Sequence, residues 1–503
     1  MSSKTRRAVR NTVIQTIGQG ITWTLSCILL VLLPRYLGDS RFGVFTIAFS
    51  YCALFSTLVN LGVNTFLVKE VAILHTGPEF PPEENARRTT ALQALLGNVL
   101  TLKLLLALGV FLLQTAVAWC LPQYNDQTRQ AILIVGFGTC LGGVTQSLGG
   151  VFQGMENMLA INSVLIVEKA VITGGCALLL WQGCGLLPVC WVHAAAACTS
   201  FLLNLILLGR QVRISLGWEL SLLRRVFVGG FPFLIWVVFS EIYLRVGVLM
   251  LSLLATDAVV GWYGVSMRIY ATLLFAPTIL TNSIFPALMR MGAGADAAGG
   301  QTAFARAAER LMNLLLFVAV PISAGLIAVA GPLIRLLYGA KAFAQAAENL
   351  QVLGVSLLLV CVDILLGTVL IARGKEKPWA RMAIAAAVFN PLLNLALIPL
   401  AGRLWGNGGI GVSIATLLTE ALMMAGALWL MPPGVFSRRN LVLGVKGCLL
   451  GAAMVLLLRV WGTSNLFLLI GAGAAFYLPL ALLWGLLPRA DLAHLWHAVR
   501  RRE

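Results

Sequence analysis

Fourteen apolar stretches, most of them 20 to 28 residues long, follow one another along this chain with only short polar connections between them. A hydrocarbon core about 30 Å thick takes roughly 20 helical residues to cross. Inside it, only helices or closed barrels satisfy every backbone N–H and C=O. The stretches are far longer than barrel strands and do not alternate in polarity. The chain is therefore expected to be an all-α polytopic membrane protein with about 14 transmembrane helices. The expected spans are 11–34, 43–70, 91–118, 130–153, 158–181, 186–208, 227–254, 258–286, 308–331, 350–372, 379–401, 408–431, 440–459 and 464–487. Composition agrees: 59% of residues are hydrophobic and 11% charged, about half the charged share of a soluble domain. A net charge of +17 on a solvated patch would suggest a nucleic-acid partner. Here the basic residues cap apolar stretches, so no nucleic acid is expected. Residues 1–10 are polar and basic and lead into a full-length apolar run with no small-residue cleavage site, which is not the pattern of a cleavable signal.

The connections carry their Lys and Arg residues asymmetrically. With the N-terminus cytoplasmic, the inside segments and adjoining helix ends hold 24 of the 36 basic residues, the outside loops hold 7, and five lie inside spans. Cytoplasmic loops are the ones enriched in Lys and Arg, so both termini are expected to be cytoplasmic. Adding or losing one span would scramble the tally.

The chain also repeats itself. Asp39–Val71 aligns with Asp257–Met289 without gaps at an offset of 218, pairing Asp39 with Asp257, Gly43 with Gly261, Phe45 with Tyr263, Ala53 with Ala271 and Asn64 with Asn282. Val151–Glu156 loosely parallels Ile371–Glu376 at an offset of 220, matching Gly154 with Gly374 and Glu156 with Glu376. Six spans separate equivalent positions, an even number, so the halves share one orientation. Parallel repeats of this kind are a transporter architecture. The expected divisions are residues 1–210 (helices 1–6), 211–432 (helices 7–12) and 433–503 (helices 13 and 14 with a basic tail).

The segment Leu33-Pro34-Arg35-Tyr36-Leu37-Gly38-Asp39-Ser40-Arg41-Phe42-Gly43-Val44-Phe45, followed by Leu58-Val59-Asn60-Leu61-Gly62-Val63, resembles the first hairpin of the polysaccharide-biosynthesis (Wzx-type) flippases. These belong to the multidrug/oligosaccharidyl-lipid/polysaccharide exporter superfamily. The resemblance covers the first two spans well and extends further through span count, the repeat and the Gly-centred turns. It implies two six-helix lobes in a V that rocks between inward- and outward-facing states, with two additional C-terminal helices.

Ionisable groups at bilayer depth cost at least about 2.5–3.5 kcal/mol each on insertion scales and are functional candidates. The spans contain Lys103, Glu168, Lys169, His193, Glu241, Arg245, Arg268, Asp363 and Glu420; Lys446, near a helix end, is read as snorkelling. At about 1.5 Å per residue, Lys103, Glu168, Glu241, Asp363 and Glu420 fall close to the midplane. Glu241 and Arg245 stand in a favourable i,i+4 arrangement, and with Arg268 on the next helix they form an expected cluster, either an internal staple or a substrate- or proton-handling site. Arg245, Arg268, Lys169 and Lys103 are the candidates for binding a pyrophosphate headgroup, since Arg and Lys are natural partners of phosphate oxygens. Glu241, Glu168, Asp363 and Glu420 are the candidates for proton or ion coupling. Asn60 with Asn64, Asn390 with Asn394, and the Asn11, Gln15, Gln19 series recur every four residues. Such stripes line a wet, glycan-accepting cavity or hydrogen-bond between helices.

The ten cysteines show no metal spacing, no Walker motif occurs, and no nucleophile–base constellation is legible. No cofactor, metal or enzymatic activity is expected. Residues 292–300 read as an Ala/Gly-rich flexible linker. The expected function is translocation of a polyprenyl-pyrophosphate-linked oligosaccharide across the inner membrane for surface polysaccharide synthesis, alongside polymerase or glycosyltransferase partners. The competing readings are a cation-coupled multidrug exporter, a peptidoglycan-precursor flippase, and a membrane-embedded glycosyltransferase or polymerase. Against the exporter reading, the first helix has no acidic residue, where the resemblance implies that such exporters usually carry one. The last reading needs a large extracytoplasmic loop that this sequence does not contain.

Overall fold

A computed structural model describes residues 3–60, 62–74, 81–293, 300–431, 438–463 and 465–486. The Ala/Gly-rich connection at 294–299 and the basic tail from 487 onward lie outside the described residues, as does the side chain of Asn282. The described residues fold into helices alone: α1 (Ser3–Asn60), α2 (Val63–Leu74), α3 (Pro82–Cys120), α4 (Asp126–Gly154), α5 (Met158–Trp181), α6 (Leu186–Gly209), α7 (Leu220–Leu254), α8 (Asp257–Leu273), α9 (Phe275–Ala293), α10 (Gly300–Tyr338), α11 (Ala346–Ala372), α12 (Glu376–Trp405), α13 (Gly408–Leu430), α14 (Arg438–Trp461) and α15 (Leu466–Leu483).

Twelve of the described helical segments are long and apolar enough to cross a membrane. One of them, Arg10–Asn60, is 51 residues long, enough for two crossings, and it changes direction at Gly38 (φ 74°, ψ 176°). Counting it twice and adding α7 accounts for the fourteen expected spans. Tryptophans mark the helix ends: Trp119, Trp181, Trp405 and Trp461 close α3, α5, α12 and α14, and all four are exposed. That is where an amphipathic ring meets a membrane–water boundary.

The chain divides into two compact units, Met1–Leu253 and Leu254–Glu503. The division falls at the C-terminal end of α7. Within the first unit, α4 is the central helix, packed against α1, α2, α3 and α6. Within the second, α11 holds the same place against α8, α9, α10 and α13. α4 and α11 are the fourth and tenth expected spans, so the sequence repeat is also a repeat of packing. The two remaining helices, α14 and α15, dock on α10, where Leu450, Met454 and Tyr477 bury against Val320 and Ala324. The opposite face of α14 leaves Leu441, Val445, Leu449, Leu456 and Val460 exposed, as a lipid-facing stripe requires. Lipid tails are as apolar as leucine, so close packing and internal hydrogen bonds hold such helices together.

The turn after the central helix corrects the register of the repeat. The residue in the left-handed conformation is Glu156 in the first unit (φ 55°) and Gly374 in the second (φ 68°). The closing hydrogen bonds are Asn157 N to Phe152 O (2.8 Å) and Lys375 N to Leu370 O (2.9 Å). Every one of these pairs is separated by 218, the offset of the first aligned stretch, and not by 220. Matching Gly154 with Gly374 by identity equated two glycines with different tasks. Gly374 is needed for its positive φ. Gly154 is needed for space, because a Cβ there would lie 2.8 Å from the Val71 side chain and 2.9 Å from the Val68 carbonyl oxygen.

Candidate functional site

The first unit encloses a cavity of about 980 Å³ among α1, α2, α4, α5 and α6. That is the upper end of the ~300–1,000 Å³ usual for small-molecule sites. Its floor is one face of α4: Val135, Gly138, Thr139, Gly142, Gln146, Gly149 and Gln153 all line it at three- and four-residue spacing, the spacing of one helical face. Glycine makes the room. A Cβ on Gly142 or Gly149 would meet nothing within 4 Å, so the space above these residues is the cavity itself. Asn60 and Asn64 face the floor from the end of α1 and the start of α2, Glu168 comes from α5, and His193, Ser200 and Asn204 come from α6. Glu168 accepts a hydrogen bond from Ser200 Oγ at 2.8 Å. His193 is framed by Phe45 and Phe49, with ring centroids at 5.5 and 4.7 Å.

Behind Asn60 and Asn64 lies Lys103, fully buried on α3 at 0% exposure. Its Nζ donates to the Asn60 backbone carbonyl at 3.0 Å and approaches Asn60 Oδ1 and Asn64 Oδ1 at 3.5 Å each. Ser147 Oγ donates to the same Asn64 Oδ1 at 2.6 Å. Asn60 ends α1, and the chain restarts as α2 at Val63 after Gly62 at φ 68°. The helix therefore ends where the Asn60 carbonyl faces Lys103, which donates to it. A cation also suits the negative end of a helix. Lys169, one residue beyond Glu168 and so about 100° further around α5, is half-buried and outside the cavity lining.

On α7, Arg245 Nε and Glu241 Oε2 form the i,i+4 pair at 2.6 Å, with about a third and a quarter of their side chains exposed. Arg268 is half-buried on α8, in the second unit. The second unit has a polar interior of its own. Asp363 on α11 and Glu420 on α13 are buried at 6% and 8% exposure, on two helices that pack together, near enough for their charges to interact. Among the described residues, neither carboxyl oxygen of Asp363 has a hydrogen-bond partner. Alongside, Asn390 Nδ2 donates to Thr419 Oγ1 (3.0 Å) and Asn394 Nδ2 to Asn390 Oδ1 (2.8 Å), so this asparagine pair lies buried between α12 and α13. Of the remaining stripe, Asn11 Nδ2 donates to the Glu156 carbonyl (3.1 Å), while Gln15 and Gln19 stay exposed.

The structure thus gathers Asn60, Asn64, Glu168 and the enclosed Lys103 in one unit and Asp363, Glu420, Asn390 and Asn394 in the other. Residues that sequence reasoning passed over are Gln146, Gln153, Ser147, Ser200 and the glycine face of α4. The spacing of Gly138, Gly142 and Gly149 was the available signal. Among the described residues, no group of three or more His, Cys, Asp or Glu side chains could hold a metal ion.

Known proteins place this arrangement. Over 165 residues the chain is 29% identical to the probable lipid II flippase MurJ of Bdellovibrio bacteriovorus. That match spans about a third of each, 31% of this chain and 31% of the relative. A solved lipid II flippase MurJ in an inward closed conformation superposes with a TM-score of 0.70 at 14% identity, over 95% of this chain and 98% of that one. An inward-facing multidrug resistance MATE family transporter of the MOP superfamily gives 0.58 at 13% identity, over 87% and 95%. A MOP superfamily transporter from Pyrococcus furiosus gives 0.51 at 12%, over 90% and 96%. At these identities the likeness is one of fold, and it is the fold of membrane transporters. The sequence profile of polysaccharide biosynthesis proteins matches residues 8–292, more than half of the chain and all but the first seven residues of its first unit. The chain belongs to the polysaccharide biosynthesis protein family.

Proposed function

We propose that this protein is a flippase that carries a polyprenyl-pyrophosphate-linked oligosaccharide from the cytoplasmic to the outer leaflet of the inner membrane by alternating access, its termini cytoplasmic, for cell-surface polysaccharide synthesis. The observation that carries the reading is the amide- and hydroxyl-lined cavity of the first unit in a chain of this family. Glycan hydroxyls and phosphate charges lose their water in hydrocarbon without replacement, so a polar path through protein is what such a substrate lacks. Arg245, Arg268 and Lys169 are the proposed partners of the pyrophosphate, with Lys103 acting from behind the wall through Asn60 and Asn64. Asp363, Glu420, Glu168 and Glu241 are the proposed proton-exchanging groups. Moving negative charge out of an inside-negative cell is favourable by about 2.3 kcal/mol per charge per 100 mV, so the membrane potential assists. Polymerase and glycosyltransferases are the proposed neighbours in the membrane.

The likeness to MurJ favours one second reading, a peptidoglycan-precursor flippase, whose substrate would share the polyprenyl-pyrophosphate anchor and differ in the glycan. The test is flipping of fluorescent undecaprenyl-pyrophosphate oligosaccharide in proteoliposomes, run beside a fluorescent peptidoglycan precursor. Wild type is expected to flip the oligosaccharide faster. Arg245→Ala and Arg268→Ala should each slow flipping about tenfold, the rate equivalent of about 1.4 kcal/mol. Gly142→Leu fills the cavity from a position with no neighbour within 4 Å, so it should fold normally and slow flipping at least as much. Faster flipping of the peptidoglycan precursor would select the second reading. Export of a cationic dye with no flipping would overturn both.

A further inference from the structure

The wall of the cavity is specific about charge. Among the described residues, five side-chain amides line it, including Asn60, Gln146 and Asn204, together with hydroxyls, and no arginine does. Each amide offers both a donor and an acceptor, which matches hydroxyl and acetamido groups of sugars. The one carboxylate among the described lining residues is Glu168, held by Ser200 at 2.8 Å. Lys69, at the α2 end of the lining, is exposed, and its charge is correspondingly screened. A second carboxylate brought into this space would face Glu168, because Lys103 is committed to the Asn60 and Asn64 oxygens behind the wall and His193 is framed by Phe45 and Phe49, and like charges in a partly desolvated site repel strongly.

We infer that the glycan taken into this cavity carries no carboxylate there: its sugars are neutral, N-acetylated or amino sugars, and uronic acids and other acidic sugars are rejected by Glu168. This rests on the flippase reading above and names the substrate class of the same cavity. A cationic amino sugar would be tolerated, because it would pair with Glu168 rather than oppose it.

The experiment uses two fluorescent undecaprenyl-pyrophosphate trisaccharides that differ only in one sugar, glucose against glucuronic acid, in proteoliposomes with wild type, Glu168→Gln and Gln146→Lys. Wild type is expected to flip the glucose form at least tenfold faster. Glu168→Gln should narrow that ratio to within about threefold, by raising the rate for the glucuronic acid form. Gln146 is exposed to the cavity, so Gln146→Lys tests the same idea without touching Glu168, and it should also move the ratio toward the acidic form. A role of Glu168 in proton coupling alone would slow both substrates together and leave the ratio where it was, which overturns the inference. Equal wild-type rates for the two glycans overturn it as well while leaving the flippase reading standing. Movement of neither glycan by wild type overturns the flippase reading itself, and the inference with it.

Discussion

Lys103→Met is expected to destabilise the folded protein by about 2–3 kcal/mol, since hydrogen bonds between membrane helices contribute roughly 0.6–2 kcal/mol each and a buried acceptor left without a donor costs a further share. Methionine keeps the unbranched stem of lysine, so the substitution removes the ammonium and little of the packing. What remains is the Asn60 carbonyl at the end of α1, with Asn60 Oδ1 and Asn64 Oδ1 beside it, and no cation facing them. Ser147 still donates to Asn64, so the carbonyl is the group most affected. An ammonium has three donors and meets three oxygens here, which neutral replacements cannot reproduce. Thermal unfolding of the detergent-solubilised protein measures the effect, and a double-mutant cycle with Asn64→Leu isolates it. The two changes should be non-additive by at least 0.5 kcal/mol, as groups sharing one network are. A Lys103→Met protein within 0.5 kcal/mol of wild type would show that the helix interruption does not depend on the lysine.

The second large effect concerns the buried acids of the other unit. Transport by Asp363→Asn and by Glu420→Gln is expected to lose its response to an imposed pH gradient, with the driven rate at least tenfold below wild type. Two carboxyl groups buried to 6% and 8% exposure on neighbouring helices repel strongly if both are ionised. One proton shared between them would remove that repulsion, which is the reason the pair on α11 and α13 is proposed to exchange protons. An amide at either position donates permanently where the acid donates only when protonated. Shape is kept and exchange is lost. Asp363→Leu should behave differently: it removes the partner of Glu420 and should lower stability as well as rate. Initial flipping rates with and without a pH gradient separate these cases. A Asp363→Asn, Glu420→Gln double variant that still responds fully to the gradient would remove the pair from the coupling mechanism.

The contrast between the two units follows from particular residues. The repeat puts equivalent turns after α4 and α11 and equivalent packing around them, yet position 103 is lysine where its counterpart at offset 218 is Pro321, and Glu168 corresponds to Ala386. One framework therefore carries a cation-braced, open cavity in the first unit and a tightly packed acid pair in the second.

Span number, helical class, the internal repeat and the family resemblance were all legible in the linear chain, because each is set locally. A stretch of twenty apolar residues has one way to satisfy its backbone in lipid, and its position in the span gives its depth at about 1.5 Å per residue. That is why Lys103, Glu168, Asp363 and Glu420 could be singled out as deep charges. Depth does not give direction around the helix. Spans that are apolar on every side carry too weak a polar face to say which way a residue points. Glu168 and Lys169 differ by one residue and almost nothing in depth, but only Glu168 lines the cavity. The tertiary structure alone decided that Lys103 is enclosed behind Asn60 and Asn64, that Asp363 lies near Glu420 of a different helix, and that the glycine face of α4 opens a cavity. Each of these depends on which helices pack together and at what rotation, and that is fixed by close contact between segments far apart in the chain.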